Sequence, residues 1–371
     1  MAYERKHESA SRREFLTALG AAAGAATLLT PEDLLAQATA PAAGPKPVHI
    51  DVHHHFYPPE FRKAVNDFGG GRVPAVEAWT PQKSLEQLDM NNVTTAMISL
   101  WSIPGVWMGA NPEGMRRWAR HVNDYGAKMM ADYPGRFGLF AALPLPDVEG
   151  SLKEIEYAFD TLKADGVGLM TNYGTTWPGD PKYAPVFEEL NRRKAVVYFH
   201  PVAAACCSGN FAPGIGESWM EVPYDTGRAV LSLLVTGTFH KLRDIKWIFS
   251  HSGGTVPILA ERVAVLGRFD QKLKQNAPDG VGAELTRLYY ETANGYHAPN
   301  MAALLKFVKP SQVLFGTDYP YLTVAQNAEG LAANVKGATL KAIQSGNALK
   351  MFPKYAAKKA PAAKAPVAKK A

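Results

Sequence analysis

Short apolar segments alternate with amphipathic stretches along most of the chain, between residues 48 and 352. Apolar segments of three to six residues that are rich in β-branched and aromatic side chains predict buried strands. Eight are apparent: Val48–Val52, Thr95–Leu100, Phe137–Ala142, Val167–Met170, Val196–Phe199, Lys246–Ser250, Leu288–Glu291 and Val313–Phe315.

The stretches between most of these strands have apolar residues at the spacing of an α-helix. The clearest are Glu113–Tyr133, Ser151–Ala164, Tyr183–Lys194, Asp225–Leu242 and Val256–Phe269. Strands that alternate with helices in this way predict an α/β fold, a (β/α)8 TIM barrel, over residues 41–353. The longest irregular segments, Phe56–Thr80 and Pro201–Val222, follow the first and fifth strands and predict substrate-binding loops.

The two ends of the chain differ from this body. Arg12-Arg13 precedes an apolar, Ala-rich run to Leu29, and Ala38-Thr39-Ala40 has the form of a signal cleavage site. Residues 1–40 therefore predict a twin-arginine export signal and a periplasmic or extracellular location, the alternative being an amphipathic helix. Residues 354–371 are almost entirely Ala, Lys and Pro, which predicts a disordered tail that contacts anionic surfaces or only improves solubility.

Composition and charge exclude some classes of protein. Of the 371 residues, 47% are hydrophobic and 20% charged, which argues against a largely disordered chain. The net charge of +6 equals the six Lys of residues 354–371, while residues 1–40 carry −1 and the remainder +1. The charge therefore gives no reason to expect that the barrel binds nucleic acid. The two cysteines, Cys206 and Cys207, are adjacent and form no disulfide framework.

Histidines and one aspartate follow several of the predicted strands. His53 and His55 close the first strand and should share one face, with His54 on the other. His200, His251 and Asp318 follow the fifth, sixth and eighth strands, so all five side chains should meet at the carboxyl-terminal face of the barrel. A single histidine after an apolar run is more often structural. Together, however, three histidines and a carboxylate suit a divalent metal, leaving one histidine for proton transfer.

These residues lie in motifs that resemble a known family. The motifs are Ile50-Asp51-Val52-His53-His54-His55, Phe199-His200-Pro201, Ser250-His251-Ser252-Gly253-Gly254, Gly316-Thr317-Asp318-Tyr319-Pro320 and Ser345-Gly346-Asn347-Ala348. In this order they resemble the amidohydrolase superfamily, in the branch of 2-amino-3-carboxymuconate-6-semialdehyde decarboxylase and the 6-methylsalicylate decarboxylase-like enzymes. The resemblance extends over about residues 48–352.

The resemblance implies a role for each site residue. It makes His53, His55, His200 and Asp318 the metal ligands, and His251 the catalytic acid or base. Arg262 matches an arginine that reaches the site of a neighbouring subunit and binds the substrate carboxylate, which implies a homodimer; the alternative is an exposed helix arginine. Arg72 matches, more loosely, a second carboxylate-binding arginine.

The same resemblance predicts one metal ion. The fourth strand, Gly166–Asn172, lacks the metal-bridging lysine of the binuclear members of the superfamily. Three imidazoles favour zinc, with manganese as the alternative.

The predicted reaction is the metal-dependent, non-oxidative decarboxylation of a small aromatic or unsaturated carboxylic acid, 6-methylsalicylate being one example. Asp318 or His251 would supply the proton. The same residues also suit a metal-dependent hydrolase of an amide, lactone or ester. A third hypothesis is an exported binding protein without catalysis. Several aromatic residues of the loops are candidates for the wall of a pocket for a flat acid: Phe56, Tyr57, Trp79, Trp101, Tyr173 and Trp177.

Overall fold

Eight parallel strands form one sheet in the order of the chain. The computed structural model describes residues 48–67, 73–100, 111–207 and 216–356, so the predicted signal, Arg72, Trp101 and most of the predicted tail lie outside the described residues. Each strand pairs with the next one along the chain. The strands are β1 (His49–His55), β2 (Val93–Ser99), β3 (Phe137–Ala142), β4 (Gly166–Met170), β5 (Val196–His200), β6 (Lys246–Phe249), β7 (Tyr289–Glu291) and β8 (Val313–Leu314).

Backbone hydrogen bonds between the last and first strands close the sheet into a barrel. The amide of Val52 donates to the carbonyl of Phe315 at 2.9 Å, and the amide of Asp318 donates to the carbonyl of His53 at 2.8 Å. Further along, the amide of His55 donates to Tyr319 at 2.8 Å. The predicted (β/α)8 barrel is therefore confirmed.

Helices surround the barrel. They are α1 (Pro59–Asp67), α2 (Pro74–Glu77), α3 (Pro81–Met90), α4 (Pro112–Asp132), α5 (Val148–Glu156), α6 (Ala184–Arg192), α7 (Glu221–Val235), α8 (Thr238–Lys241), α9 (Val256–Gly267), α10 (Gln271–Asn276), α11 (Val281–Thr286), α12 (Ala298–Phe307), α13 (Val324–Asn334), α14 (Gly337–Lys341) and α15 (Asn347–Met351). None of these described helices is long and apolar enough to cross a membrane.

Two predicted helices differ from the observed ones. The helix predicted over Asp225–Leu242 is divided into α7 and α8, because Gly237 adopts a left-handed conformation with φ 73°. The helix predicted over Ser151–Ala164 begins earlier, where Asp147 caps the amide of Gly150, and it ends in a π-turn at Tyr157–Thr161. In addition, the loop predicted over Phe56–Thr80 contains α1 and α2.

The barrel interior has its own core, which the end of the chain closes. This core consists of Ile50, Val52, Met97, Phe140, Val196, Tyr198, Ile248 and Leu314, with Ala348, Met351 and Phe352 beneath them. The Phe352 ring lies 6.0 Å from that of Phe140. The packed chain continues beyond residue 353, since Lys354 pairs with Asp165 at 2.8 Å and the Tyr355 hydroxyl donates to the same carboxylate at 2.9 Å. The first residues of the predicted tail are thus part of the packed chain.

Candidate metal centre and active site

An irregularity in β1 decides where its histidines point. Ile50 and Val52 belong to the interior core of the barrel, so simple alternation would place His53 and His55 on the opposite face. However, β1 carries an extra residue between Asp51 and His54, because Asp51 pairs with Ala96 and His54 with Ile98. Such a bulge reverses the alternation. The ring of His53 therefore lies inside the barrel, 5.4 Å from that of Tyr198.

The structure brings together the four side chains that the resemblance assigned to the metal. One ligand atom from each of His53, His55, His200 and Asp318 lies within 4.8 Å of the others. The Nε2 atoms of His53 and His55 are 3.0 Å apart, and Asp318 Oδ1 lies 3.2 Å and 3.0 Å from them. As predicted from alternation within the triplet, His54 points away and contacts Asp51 and Ser84.

The donor set fits a divalent metal. Ligand atoms that are each about 2.0–2.2 Å from one ion lie roughly 3 Å apart, as those of His53, His55 and Asp318 do. His200 Nδ1 is buried and has no hydrogen-bond partner within the described part of the chain. Burial lowers the pKa of both His55 and His200, so these imidazoles are neutral and able to coordinate an ion.

Charges within the cluster raise the pKa of His53 and lower that of Asp318. Burial alone would lower the pKa of His53, but the carboxylates of Glu291 and Asp318 raise it to about 10. Burial opposes ionisation of Asp318, yet His53 and the hydrogen bonds from His53 and His55 hold its pKa well below the ordinary value. Asp318 is therefore a carboxylate at neutral pH.

Glu291 is a site residue that the sequence reasoning missed. It ends β7, is fully buried, and its Oε1 accepts hydrogen bonds from His53 Nδ1 and from the backbone amide of His251, each at 2.8 Å. Its Oε2 accepts from the amide of Ala293 at 2.6 Å. A carboxylate on the far nitrogen of a metal-binding histidine fixes its tautomer and orientation. In the sequence Glu291 closes a predicted strand, Leu288–Glu291, whereas Asp318 follows its strand by three residues.

Two backbone features bring these groups close together. Gly316 passes so near Glu291 that a Cβ atom at this position would lie 2.0 Å from Oε2, which explains the glycine before Thr317-Asp318. Asp318 itself has a positive φ of 61°, and the hydrogen bond from its backbone amide to the carbonyl of His53 stabilises this conformation. The eighth-strand motif thus presents its carboxylate directly to the β1 histidines.

His251 is held in a defined orientation beside this cluster. It has a φ of 53°, and its ring lies 5.0 Å from that of His53 and 6.1 Å from that of His200. Its Nδ1 lies 2.8 Å from the carbonyl oxygen of Ala293. Because a carbonyl can only accept, Nδ1 carries a hydrogen and Nε2 is the atom available for proton transfer.

A cavity of about 1070 Å³ opens above these residues. His200, His251 and Asp318 lie on its wall, and its other polar side chains include Asn172, Asn294 and Tyr321. No lysine or arginine lines it within the part of the chain that the structure describes. Of the proposed aromatic wall, Phe56, Tyr57 and Trp79 are instead almost completely buried in the core.

The structure does not place the two predicted arginines in this cavity. Arg262 lies on the exposed side of α9 and is not among the residues that line the cavity of its own subunit. Arg72 lies outside the described residues.

A parallel barrel with three histidines and an aspartate gathered at the carboxyl ends of its strands defines the class of barrel enzymes built around a metal site. The chain belongs to the amidohydrolase family, whose family model matches residues 50–354. The predicted family is therefore confirmed.

Similar proteins lie within this family. A decarboxylase of Aspergillus niger, yanB, is 38% identical over 328 residues, which cover 82% of this chain and 88% of that protein. The 6-methylsalicylic acid decarboxylase acuB of Aspergillus aculeatus is 33% identical over 323 residues, 82% and 96% of the two chains. The crystal structure of a dihydroxybenzoic acid decarboxylase from Polaromonas sp. JS666, with bound manganese and 2-nitroresorcinol, has a TM-score of 0.70 at 21% identity. It covers 84% of this chain and 98% of that one.

Proposed function

We propose that the chain is a metal-dependent decarboxylase of a small aromatic carboxylic acid, with 6-methylsalicylate as the best candidate substrate. The observation that carries the proposal is the His and Asp cluster at the base of an open cavity. The chain that holds it is 33% identical to a 6-methylsalicylic acid decarboxylase. This relationship favours decarboxylation over the hydrolysis of an amide, lactone or ester, which the same residues also suit.

In this proposal His53, His55, His200 and Asp318 hold the ion, and His251 moves the proton. A bound divalent ion would orient the acid and draw electron density toward its oxygens. His251, protonated at Nε2, donates to the ring carbon as the bond to the carboxylate breaks and CO2 leaves. The electron pair of the broken bond forms the new C–H bond. Asp318 is ionised and so has no proton to give, which favours His251 as the donor.

The decarboxylation test uses 6-methylsalicylate labelled with ¹³C in the carboxyl group. The metal-loaded protein should release one labelled CO2 per acid consumed and form 3-methylphenol, and His251→Ala should reduce kcat by about 10²-fold or more. Cleavage of amide, lactone or ester substrates without release of CO2 from carboxylic acids would contradict the proposal and support the hydrolase.

We propose zinc as the metal, with manganese as the alternative. Three imidazole ligands favour zinc, whereas the Polaromonas relative holds manganese. The metal content of the purified protein, followed by chelation and reloading with each ion, distinguishes the two. Higher activity with manganese at equal occupancy would contradict the choice of zinc.

We propose a homodimer in which Arg262 of each subunit binds the substrate carboxylate in the other. On α9 and the residues that follow it, Arg262 is surrounded by exposed apolar side chains, namely Ile258, Leu259, Val265, Leu266 and Phe269. An apolar groove of about 150 Å³ between α7 and α9 continues this surface. A continuous exposed apolar surface is typical of a protein interface. Arg72, which lies outside the described residues, is proposed as a second carboxylate-binding residue.

The dimer and the role of Arg262 are tested separately. Sedimentation should show a dimer for the unchanged chain and for Arg262→Ala, and a monomer for Phe269→Glu. Arg262→Ala should raise KM for 6-methylsalicylate about tenfold or more, because a charged hydrogen-bond donor is lost. A monomer with full activity would contradict the proposal.

We also propose export by the twin-arginine route, directed by residues 1–40, and contact between the basic residues 357–371 and anionic surfaces. Support comes from the Arg12-Arg13 motif and from the concentration of lysines at the end of the chain. Replacing Arg12-Arg13 by two lysines should retain the protein in the cytoplasm. Unchanged export of that variant would contradict the proposed route.

A further inference from the structure

Tyr321 lies beside the candidate metal centre, and no residue in the described ranges accepts a hydrogen bond from its hydroxyl group. Tyr321 follows Asp318 by three residues, and its amide donates to the carbonyl of Asp318 at 2.9 Å, which anchors it to that residue. Its ring meets that of His55 edge-on, with centroids 5.7 Å apart. Tyr321 lines the cavity together with His200, His251 and Asp318, and the residue is 39% exposed. Its side chain is therefore accessible to a bound ligand.

A second tyrosine fixes the direction of this hydroxyl group. Tyr57 follows β1 and is 1% exposed, and its Oη donates to Tyr321 Oη at 2.9 Å. The Tyr57 ring is held edge-on against Trp79, 6.1 Å away. Because Tyr321 accepts this bond, its own hydrogen must point elsewhere. Among the described residues none accepts it, so the hydrogen remains available to a molecule in the cavity.

The cavity needs donors of this kind if its ligand is an anion. No lysine or arginine lines it in the described ranges, whereas two acidic residues, Asp318 and Glu217, do. A tyrosine hydroxyl keeps its hydrogen at neutral pH, since its ordinary pKa is about 10. A neutral donor that is already oriented loses little entropy when it binds a carboxylate.

We propose that Tyr321 donates a hydrogen bond from its Oη to a carboxylate oxygen of the bound acid, and that Tyr57 is a positioning residue that orients this hydroxyl. The inference rests on the proposed function, since it takes a carboxylic acid as the ligand. It adds a recognition element supplied by the subunit's own chain, beside any arginine from a partner.

The test is the binding of salicylate and benzoate to the metal-loaded protein, measured by calorimetry. Tyr321→Phe should lower the affinity for both ligands about tenfold or more, because it removes a hydrogen bond to a charged group while keeping the ring. The affinity for benzoate should fall by the same factor as the affinity for salicylate, since both molecules have the carboxylate. Tyr319→Phe, which removes a hydroxyl from the same loop but whose ring stacks on His54, is the matched control and should change affinity less than about twofold.

The positioning role requires a double-mutant cycle. Tyr57→Phe should weaken salicylate in the unchanged chain but have no further effect in the Tyr321→Phe background, because its contribution passes through Tyr321. Equal affinities of the unchanged chain and Tyr321→Phe, a loss seen with salicylate alone, or additive effects would overturn the inference. Release of CO2 is measured separately, so failure of the decarboxylase proposal remains distinguishable from failure of this one.

Discussion

At the scale of single residues, Glu291 contacts both a proposed metal ligand and the proposed proton donor. One oxygen of its carboxylate contacts both His53, a proposed metal ligand, and the backbone of His251, the proposed proton donor. The histidines and Asp318 stand out in the sequence because polar residues at strand ends in a barrel indicate a site. Glu291 is the last residue of β7 and has no metal-ligand motif around it. Its role follows only from three-dimensional contacts.

We expect Glu291→Gln to lower metal affinity by about 10- to 100-fold, as is typical when the carboxylate partner of a metal-binding histidine is lost. The measurement is competition with a chelator at fixed pH. Glu154→Gln is the control, since Glu154 is also a buried carboxylate but pairs with Arg120 and Asn123 away from the site. Equal metal affinities of the Glu291→Gln variant and the unchanged chain would show that the contact with His53 has no such role.

At the scale of elements, the bulge in β1 turns the side chains of His53 and His55 toward the proposed metal site. Asp51 stabilises it: Oδ1 accepts from the amide of His53 at 3.0 Å, and Oδ2 accepts from His54 Nδ1 at 3.0 Å and Thr317 Oγ1 at 2.6 Å. The alternation of strand residues predicts correctly that His53 and His55 share a face. It does not predict which face, because a bulge depends on pairing with β2 and β8.

Replacing Asp51 by Ala should therefore reduce both stability and metal affinity. It leaves the amide of His53 and Nδ1 of His54 without an acceptor, and it leaves Thr317 Oγ1 only its longer bond to the carbonyl of His53 at 3.3 Å. An unsatisfied buried donor costs about 1–3 kcal/mol, so we expect a loss of several kcal/mol in the free energy of unfolding. Urea denaturation and chelator competition measure the two effects. Thr94→Val, on the exposed side of β2, is the control and should change stability by less than about 1 kcal/mol. A variant that loses stability but binds metal normally would contradict the role of Asp51.

At the scale of the whole molecule, the two ends of the barrel differ: one holds the proposed site residues, and the C-terminal segment packs against the other. The proposed site residues lie at the carboxyl ends of the strands, while Phe352, Lys354 and Tyr355 pack against the interior core and Asp165. The strand order and the barrel were predictable from the alternation of apolar segments and helices. The packed end was not, because Lys354 and Tyr355 begin a segment whose composition is typical of disorder.

Two truncations test this division of the C-terminal segment. A chain that stops after Ala356 should unfold at the same temperature as the full chain. One that stops after Met351 should lose roughly 3–5 kcal/mol or more, because it removes the buried Phe352 together with the contacts to Asp165. Thermal unfolding compares them. Equal transition temperatures for the two truncated chains would contradict a structural role for Phe352–Tyr355.

The most direct test of the proposed metal-dependent decarboxylation is to titrate a divalent metal into the chelated protein while CO2 release from 6-methylsalicylate is recorded. We expect no release without metal and a rate that rises in proportion to bound metal until there is one ion per chain. We expect no such rise when His53 and His55 are both replaced by Ala. Full activity in the chelated protein, or no CO2 at saturating metal, would contradict the proposal.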